Sequence, residues 1–123
     1  MGGPLAAAGT IPGVVERAAA RYAGHPALLG QAGTVTFEEL LELVRAAAGA
    51  FIEAGVGAGD RVALWAPNTP EWAMASLAVL FAGGSVVPVN TRYTAVEAAA
   101  LVDRAGCRVV LAEGELGGRT LAR

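Results

Sequence analysis

The chain has 123 residues, a length that fits one domain at most. Its net charge of −2 gives no basic field to neutralise phosphates, so we do not expect it to bind nucleic acid. All nine basic residues are arginine, which excludes any mechanism that needs a lysine amine from this chain.

The N-terminal part is predicted to begin with a flexible tail over residues 1–9, which lacks the positive region of a signal peptide. A first helix follows over 11–22, where apolar residues recur at helical spacing behind Thr10 as a candidate N-cap. Short apolar runs at 26–31 and 34–36 flank an Ala-Gly pair, and this pattern predicts a tight hairpin.

A capping box marks the start of the second helix, because the Thr36 hydroxyl can accept from the Glu39 amide while the Glu39 carboxylate reaches back to the Thr36 amide. The apolar residues of this helix recur at three-and-four spacing and predict one continuous stripe. They are Phe37, Leu40, Leu41, Val44, Ala47, Ala48, Phe51 and Ile52. Glu42 and Arg45 lie off this stripe and form at most a weak surface pair. Gly55 ends the helix, at a position that favours a left-handed residue.

Three strands are predicted in the second half of the chain, at 61–66, 85–89 and 107–112. Their apolar residues run continuously instead of alternating with polar ones, as in strands that are buried on both faces of a parallel sheet. Pro88 suits an edge strand or the end of a strand, because proline cannot donate to the ladder.

Two helices separate these strands. The helix over 69–82 is apolar nearly all round, so it must be covered on most sides. A second capping box, Thr94 with Glu97, opens a helix that runs to Ala105. After the last strand, residues 113–123 are predicted to form a Gly-broken tail.

The order strand, helix, strand, helix, strand predicts an α/β fold: a partial parallel sheet flanked by helices, with an N-terminal helix and a short hairpin. A single subdomain over 10–112 holds all of these elements, and its crossovers should be right-handed. No run reaches the roughly 18 uninterrupted apolar residues of a membrane helix. We therefore expect no membrane span and a cytoplasmic protein.

The sequence gives little support for a catalytic site or a metal site in this chain. Cys107 is the only cysteine and His25 the only histidine, so neither a zinc cluster nor a serine-histidine relay is expected. The glycine cluster over 55–60 follows a helix and precedes a strand, whereas the glycine loop of a dinucleotide-binding site follows a strand and precedes a helix. The glycine cluster over 114–118 does follow a strand, but no clear helix comes after it. We assign no catalytic, cofactor-binding or metal-binding residue to this chain.

Two loops follow predicted strands at their carboxyl ends, the edge where ligands bind in open α/β sheets. A structural role is enough to account for the residues of the loop over 67–71, since Asn68 or Thr69 can cap the next helix. The second loop includes residues with no evident capping role, so we take it as the candidate substrate-side wall. Its residues are Asn90, Thr91, Arg92 and Tyr93. The alternative is that Arg92 serves only packing or an interface.

From residue 55 to 113 the sequence resembles the N-terminal region of the adenylate-forming acyl-CoA synthetases, the AMP-dependent fatty-acid-CoA ligases. The motifs that carry the resemblance occur in the order "GDRV", "NTPE", "GGSVVPVN" and "AGCR". Upstream, "TFEELLELVRAAAGAFIEAGV" is similar to the helix that precedes this region in the family. The resemblance covers nearly the whole chain, from about Thr10 to Glu113.

The resemblance implies a two-step reaction for the parent enzyme: a carboxylic acid and Mg-ATP give an acyl-adenylate and pyrophosphate, and the CoA thiol then displaces AMP. The family's ATP loop, which ends in Pro-Lys-Gly, and its catalytic lysine are absent here. We therefore expect a fragment that binds no cofactor and is inactive alone, although its parent uses ATP, Mg and CoA.

The apolar residues make up 54% of the chain and predict surface made for a neighbour. That neighbour is the remainder of the synthetase or, in its absence, a second copy, so that we expect self-association as a dimer. The alternative is a free-standing structural or assembly module that retains the subdomain without catalysis.

Overall fold

The computed structural model describes residues 9–30 and 33–112, together with the main chain of 115–116 and 119–120. Apart from Gly9, the tail predicted over 1–9 lies outside these residues. Within the described part, no helix is both long enough and apolar enough to cross a membrane.

The N-terminal elements are a helix and a hairpin, as predicted. Helix α1 spans Ile11–Arg21, and the Thr10 hydroxyl at its N-cap accepts a hydrogen bond from the amide of Gly13 at 3.2 Å. Strands β1 (Pro26–Gly30) and β2 (Gly33–Thr36) pair antiparallel.

Helix α2 spans Phe37–Glu53 and carries the predicted capping box. The Thr36 hydroxyl accepts from the Glu39 amide at 3.2 Å, and the Glu39 carboxylate accepts from the Thr36 amide at 2.9 Å. Both bonds satisfy donors that the first turn of a helix leaves without an intrahelical partner.

The apolar stripe of α2 is buried along its centre and open at its end. Leu40, Val44, Ala48 and Phe51 are buried, whereas Ile52 is 56% exposed, so the continuous stripe predicted from spacing stops one residue early. The sequence allowed Arg45 at most a weak surface pair with Glu42. Its guanidinium instead contacts the Glu16 carboxylate of α1 at 3.0 Å, since α1 packs against α2.

The central sheet has three parallel strands in the order β4-β3-β5. Its strands are β3 (Arg61–Trp65), β4 (Ser85–Pro88) and β5 (Cys107–Ala112). Helix α3 (Pro70–Phe81) connects β3 to β4, and helix α4 (Ala95–Ala105) connects β4 to β5. The predicted fold class is confirmed, and Pro88 lies on an edge strand.

Helices cover both faces of this sheet. Val62 and Leu64 of β3 face one side and pack in a core with residues of α2 and α3. Ala63 and Trp65 face the other side and pack in a second core with Ala98 of α4. Neighbouring residues of a strand point to opposite faces, so the continuous apolar sequence of β3 is explained by two cores.

The glycine cluster over 55–60 makes the turn between α2 and β3. Gly55 has φ of 100°, a left-handed conformation that glycine adopts without strain, and Val56 folds back so that its amide donates to the Phe51 carbonyl at 3.0 Å. Val56 is 3% exposed, so this turn ends helix α2 and buries Val56 in the core.

The tail predicted over 113–123 includes two short strands, β6 (Glu115–Leu116) and β7 (Arg119–Thr120). They pair antiparallel with each other. The rest of this segment lies outside the described residues.

Candidate functional site

A depression lies at the carboxyl edge of the sheet, between the loop that follows β3 and the loop that follows β4. Its volume is about 590 Å³, and it opens widely to solvent. The residues that line it are Ala66, Pro67, Asn68, Trp72, Pro88, Val89, Asn90 and Thr91. This is the edge at which open α/β sheets bind ligands.

The loop after β4 is held by hydrogen bonds centred on Asn90. The Asn90 side-chain oxygen accepts from the Arg92 amide at 2.9 Å, and its main-chain oxygen accepts from the Tyr93 amide at 3.0 Å. The same main-chain oxygen accepts from the indole Nε1 of Trp65 at 3.1 Å. The loop is therefore fixed both internally and to the end of β3.

The four residues predicted as a substrate-side wall occupy different environments. Asn90 and Thr91 line the depression, and Arg92 is exposed to solvent beside them. Tyr93 is half-buried and packs with the core on the α4 face. The structure thus brings Asn90 and Thr91 together at the depression, and it gives Tyr93 a packing role.

The loop after β3 has the structural explanation that its sequence predicted. Thr69 is the N-cap of α3, and its hydroxyl accepts from the Trp72 amide at 3.2 Å. Pro70 and Glu71 follow in the first turn, where a missing N–H costs nothing and a negative charge is favoured.

Two tryptophans contribute to this edge in ways that the sequence did not predict. Trp72 falls within the apolar helix predicted over 69–82, and it lines the depression one turn after the cap. Trp65 falls within the strand predicted over 61–66, and its indole N–H joins the two loops. A buried tryptophan usually finds a partner for its N–H, and that rule was the available signal.

The lining of the depression offers amide, hydroxyl, indole and apolar groups but no carboxylate, thiol or imidazole. Among the described residues no group of three potential metal ligands occurs. Burial raises the pKa of the Cys107 thiol, and the charge of nearby Arg61 partly opposes this effect. Cys107 is the first residue of β5, however, so it lies at the amino ends of the strands, away from the depression. The depression can therefore bind and position a ligand, and its described residues supply no general acid or base.

A second concavity, the β5 groove, runs between α2, α3 and β5. Its volume is about 440 Å³ and its lining is almost entirely apolar. The residues that line it are Leu43, Ala47, Ala50, Phe51, Ala54, Glu71, Met74, Ala75, Val109 and Leu111.

Comparison with known proteins places this arrangement in a family. Residues 15–122 match the AMP-binding enzyme family. A methyl-dioxo-octahydro-indenyl-propanoyl:CoA ligase of Mycobacterium tuberculosis is 46% identical over 105 residues, which cover 85% of this chain and 21% of that ligase. A long-chain-fatty-acid–CoA ligase of Yersinia pestis is 46% identical over 81 residues, which cover 64% of this chain and 14% of that ligase.

The chain shares its fold with part of a solved N-terminal domain. The inhibitor-bound N-terminal domain of FACL13 from Mycobacterium tuberculosis superposes with a TM-score of 0.76 at 26% identity, over 80% of this chain and 25% of that one. The chain spans about a fifth of the length of the Mycobacterium tuberculosis ligase that it matches. This chain belongs to the AMP-binding enzyme family.

Proposed function

We propose that the chain is the first part of an ATP-dependent acyl-CoA ligase and that it is catalytically inactive alone. In the intact ligase the carboxylate of an acid attacks ATP, which forms an acyl-adenylate and releases pyrophosphate. The sulfur of CoA then attacks the acyl carbon and AMP leaves. ATP, Mg and CoA are bound by the parts of the ligase outside this chain.

The observation that carries this proposal is the family match over residues 15–122 of a chain that spans only about a fifth of a related CoA ligase. The chemistry of the described edge is consistent with it, because the depression carries no proton-transfer group. The chain also has no lysine to contribute to phosphate binding or to catalysis.

We further propose that Asn90 and Thr91 form part of the wall on the acyl side of the intact enzyme. Support comes from their position at the carboxyl edge of the sheet and from the hydrogen bonds that hold this loop. Arg92 and Tyr93 flank the wall, and Tyr93 anchors it to the core on the α4 face.

The isolated chain is proposed to form a dimer in the cytoplasm through apolar surface that the ligase would otherwise cover. Leu43 on the rim of the β5 groove is 47% exposed, and Ile52 near the end of α2 is 56% exposed. Sedimentation velocity tests this proposal, and a monomer at all concentrations would contradict it.

The experiment for the proposed function is acid-dependent exchange of pyrophosphate into ATP. The purified chain alone should give the blank rate. The chain mixed with the part of the Mycobacterium tuberculosis ligase outside the matched stretch should give a rate above that of either polypeptide alone. Exchange by the chain alone would overturn the proposed inactivity, and an inactive mixture would favour the free-standing module.

A further inference from the structure

The depression presents hydrogen-bond donors that no described part of the chain uses. The Asn90 side-chain oxygen already accepts from the Arg92 amide at 2.9 Å, so the Nδ2 group is the part of this amide left for a ligand, and it can only donate. Thr91 adds a hydroxyl from the same loop, and Asn68 adds a second amide from the loop after β3. Among the described residues, neither of these two side chains has a hydrogen-bond partner.

The lining of the depression carries no charged side chain, and Arg92 lies beside it in solvent. A carboxylate inside the depression would have no opposite charge in contact with it, so it would lose its hydration without a strong replacement. The acceptor that suits amide and hydroxyl donors in an uncharged setting is a neutral carbonyl oxygen. The lining therefore favours a ketone in the depression and an acid group outside it.

The rest of the lining is apolar and stiff. Pro67 and Pro88 present ring side chains, and the half-buried indole of Trp72 reaches the depression from α3. An aromatic face packs well against a second ring. A ring system also loses less conformational freedom on binding than a linear alkyl chain with the same number of carbons, because it has fewer rotatable bonds to fix. The apolar part of the depression therefore favours a cyclic ligand.

The donors of the loop after β4 are held in position before a ligand arrives. The main-chain oxygen of Asn90 accepts from the Trp65 indole at 3.1 Å and from the Tyr93 amide at 3.0 Å. Because these bonds already fix the loop, binding needs little further ordering of it. A ligand without an acceptor would cover the donors and leave them unpaired, and sites built on hydrogen bonds discriminate against such analogues.

We propose that the depression binds the ring of a cyclic carboxylic acid that carries a ketone, so that cyclic keto acids are the substrate class of the intact ligase. This inference rests on the proposed function, in which Asn90 and Thr91 form part of the wall on the acyl side. The ring packs on Trp72, and the ketone oxygen accepts from Asn90 Nδ2 and from the Thr91 hydroxyl. The carboxylate points out of the depression, toward the parts of the ligase that bind ATP.

The test measures the binding of three acids to the full chain by NMR. They are oxocyclohexyl-propanoate, cyclohexyl-propanoate, which is the same acid without the ketone, and nonanoate, the linear acid with the same number of carbons. The keto acid should bind about tenfold more tightly than cyclohexyl-propanoate, and nonanoate should bind most weakly. Chemical shifts should move at Asn90, Thr91 and the Trp72 indole, with little change at Cys107 at the amino ends of the strands.

A matched pair of variants links this preference to the depression. Thr91→Val removes the hydroxyl and keeps the branched shape of the side chain, so the preference for the keto acid over cyclohexyl-propanoate should fall from about tenfold to about threefold or less. Thr34→Val makes the same change on β2, where Thr34 is exposed and outside the lining, and should keep the full preference. Circular dichroism checks that both variants fold, and the comparison of acids on the unmodified chain does not depend on either.

The outcomes separate this inference from the proposed function. Equal affinity of the unmodified chain for the keto acid and cyclohexyl-propanoate overturns the inference, and so does a keto acid that fails to bind or that leaves the shifts of Asn90 and Thr91 unchanged. Pyrophosphate exchange by the mixture with each acid tests the function. An active mixture without any preference for the keto acid keeps the function and overturns the inference, whereas the preference together with an inactive mixture supports the binding site and contradicts the function.

Discussion

The indole Nε1 of Trp65 donates a hydrogen bond to the main-chain oxygen of Asn90 at 3.1 Å. This bond joins the last residue of β3 to the loop after β4, so it sets the spacing of the two loops that enclose the depression. Trp65 is 6% exposed, which shields the bond from competition by water.

Replacement of Trp65 by phenylalanine should loosen this connection. Phenylalanine keeps an aromatic ring in the core but lacks the N–H donor, and its smaller ring leaves unfilled space. We expect the free energy of unfolding to fall by about 1–2 kcal/mol, as measured by urea denaturation. Amide exchange in the loop from Asn90 to Tyr93 should become faster.

The control for this prediction is Val96→Ala. Val96 is 80% exposed on α4, so its truncation should change the free energy of unfolding by less than about 0.5 kcal/mol. Equal effects of Trp65→Phe and Val96→Ala would show that the Trp65 bond does not stabilise the fold.

Two glycines offer opposite outcomes for the same substitution. A Cβ at Gly84 would lie 2.9 Å from the Asp60 carbonyl oxygen and 3.2 Å from side chains of Val56 and Val79, so Gly84→Ala should cost about 1–3 kcal/mol of stability. A Cβ at Gly49, within α2, meets nothing within 4 Å, so Gly49→Ala should add about 0.5–1 kcal/mol. Thermal unfolding of both variants measures the difference, and a Gly84→Ala protein as stable as the unmodified chain would contradict the close approach.

The capping boxes can be tested by removing one hydroxyl at a time. Thr36→Ala and Thr94→Ala each abolish the side-chain acceptor for the N3 amide, at Glu39 and Glu97 respectively. Each should lower the free energy of unfolding by about 1 kcal/mol in urea denaturation. Thr91→Ala is the control, since Thr91 begins no helix.

The same boxes predict a dependence of stability on pH. The hydrogen bonds to Thr36 and Thr94, chiefly those from their main-chain amides, lower the pKa of the Glu39 and Glu97 carboxyls in the folded chain. A lowered folded pKa gives stability that is present above the unfolded pKa and is lost as the pH falls through the folded pKa. The urea midpoint should therefore fall in acid.

The glutamine variants isolate this contribution. The double variant Glu39→Gln with Glu97→Gln keeps an oxygen that accepts from each threonine amide but has no carboxyl to titrate. Its urea midpoint should fall less between neutral and acid pH than that of the unmodified chain. An identical fall in both proteins would assign the pH dependence to other carboxylates.

Local signals explain why so many element boundaries could be predicted. The Thr36 and Thr94 boxes each act within four residues, so the sequence alone places the starts of α2 and α4, and it limits the cap of α3 to Asn68 or Thr69. The continuous apolar runs of β3 and β5 likewise predict a parallel sheet, because only strands covered on both faces can bury every side chain.

The candidate site was predicted only in outline, because its geometry depends on distant residues. Sequence placed the loop from Asn90 to Tyr93 at the carboxyl edge of the sheet, but it could not show that Tyr93 turns into the core while Asn90 and Thr91 line the depression. The sequence also could not predict that Trp72 of α3 lines the depression.

By itself the sequence determined the family, the order of helices and strands and the absence of a lysine, since these follow from residue identity and short-range spacing. Only the tertiary structure decided that Arg45 pairs with Glu16, that Trp65 bonds to Asn90 and that β5 stands half-covered at the edge of its sheet. Each of these relationships joins residues far apart in the chain or elements on different layers, and such contacts are fixed by packing of the whole subdomain.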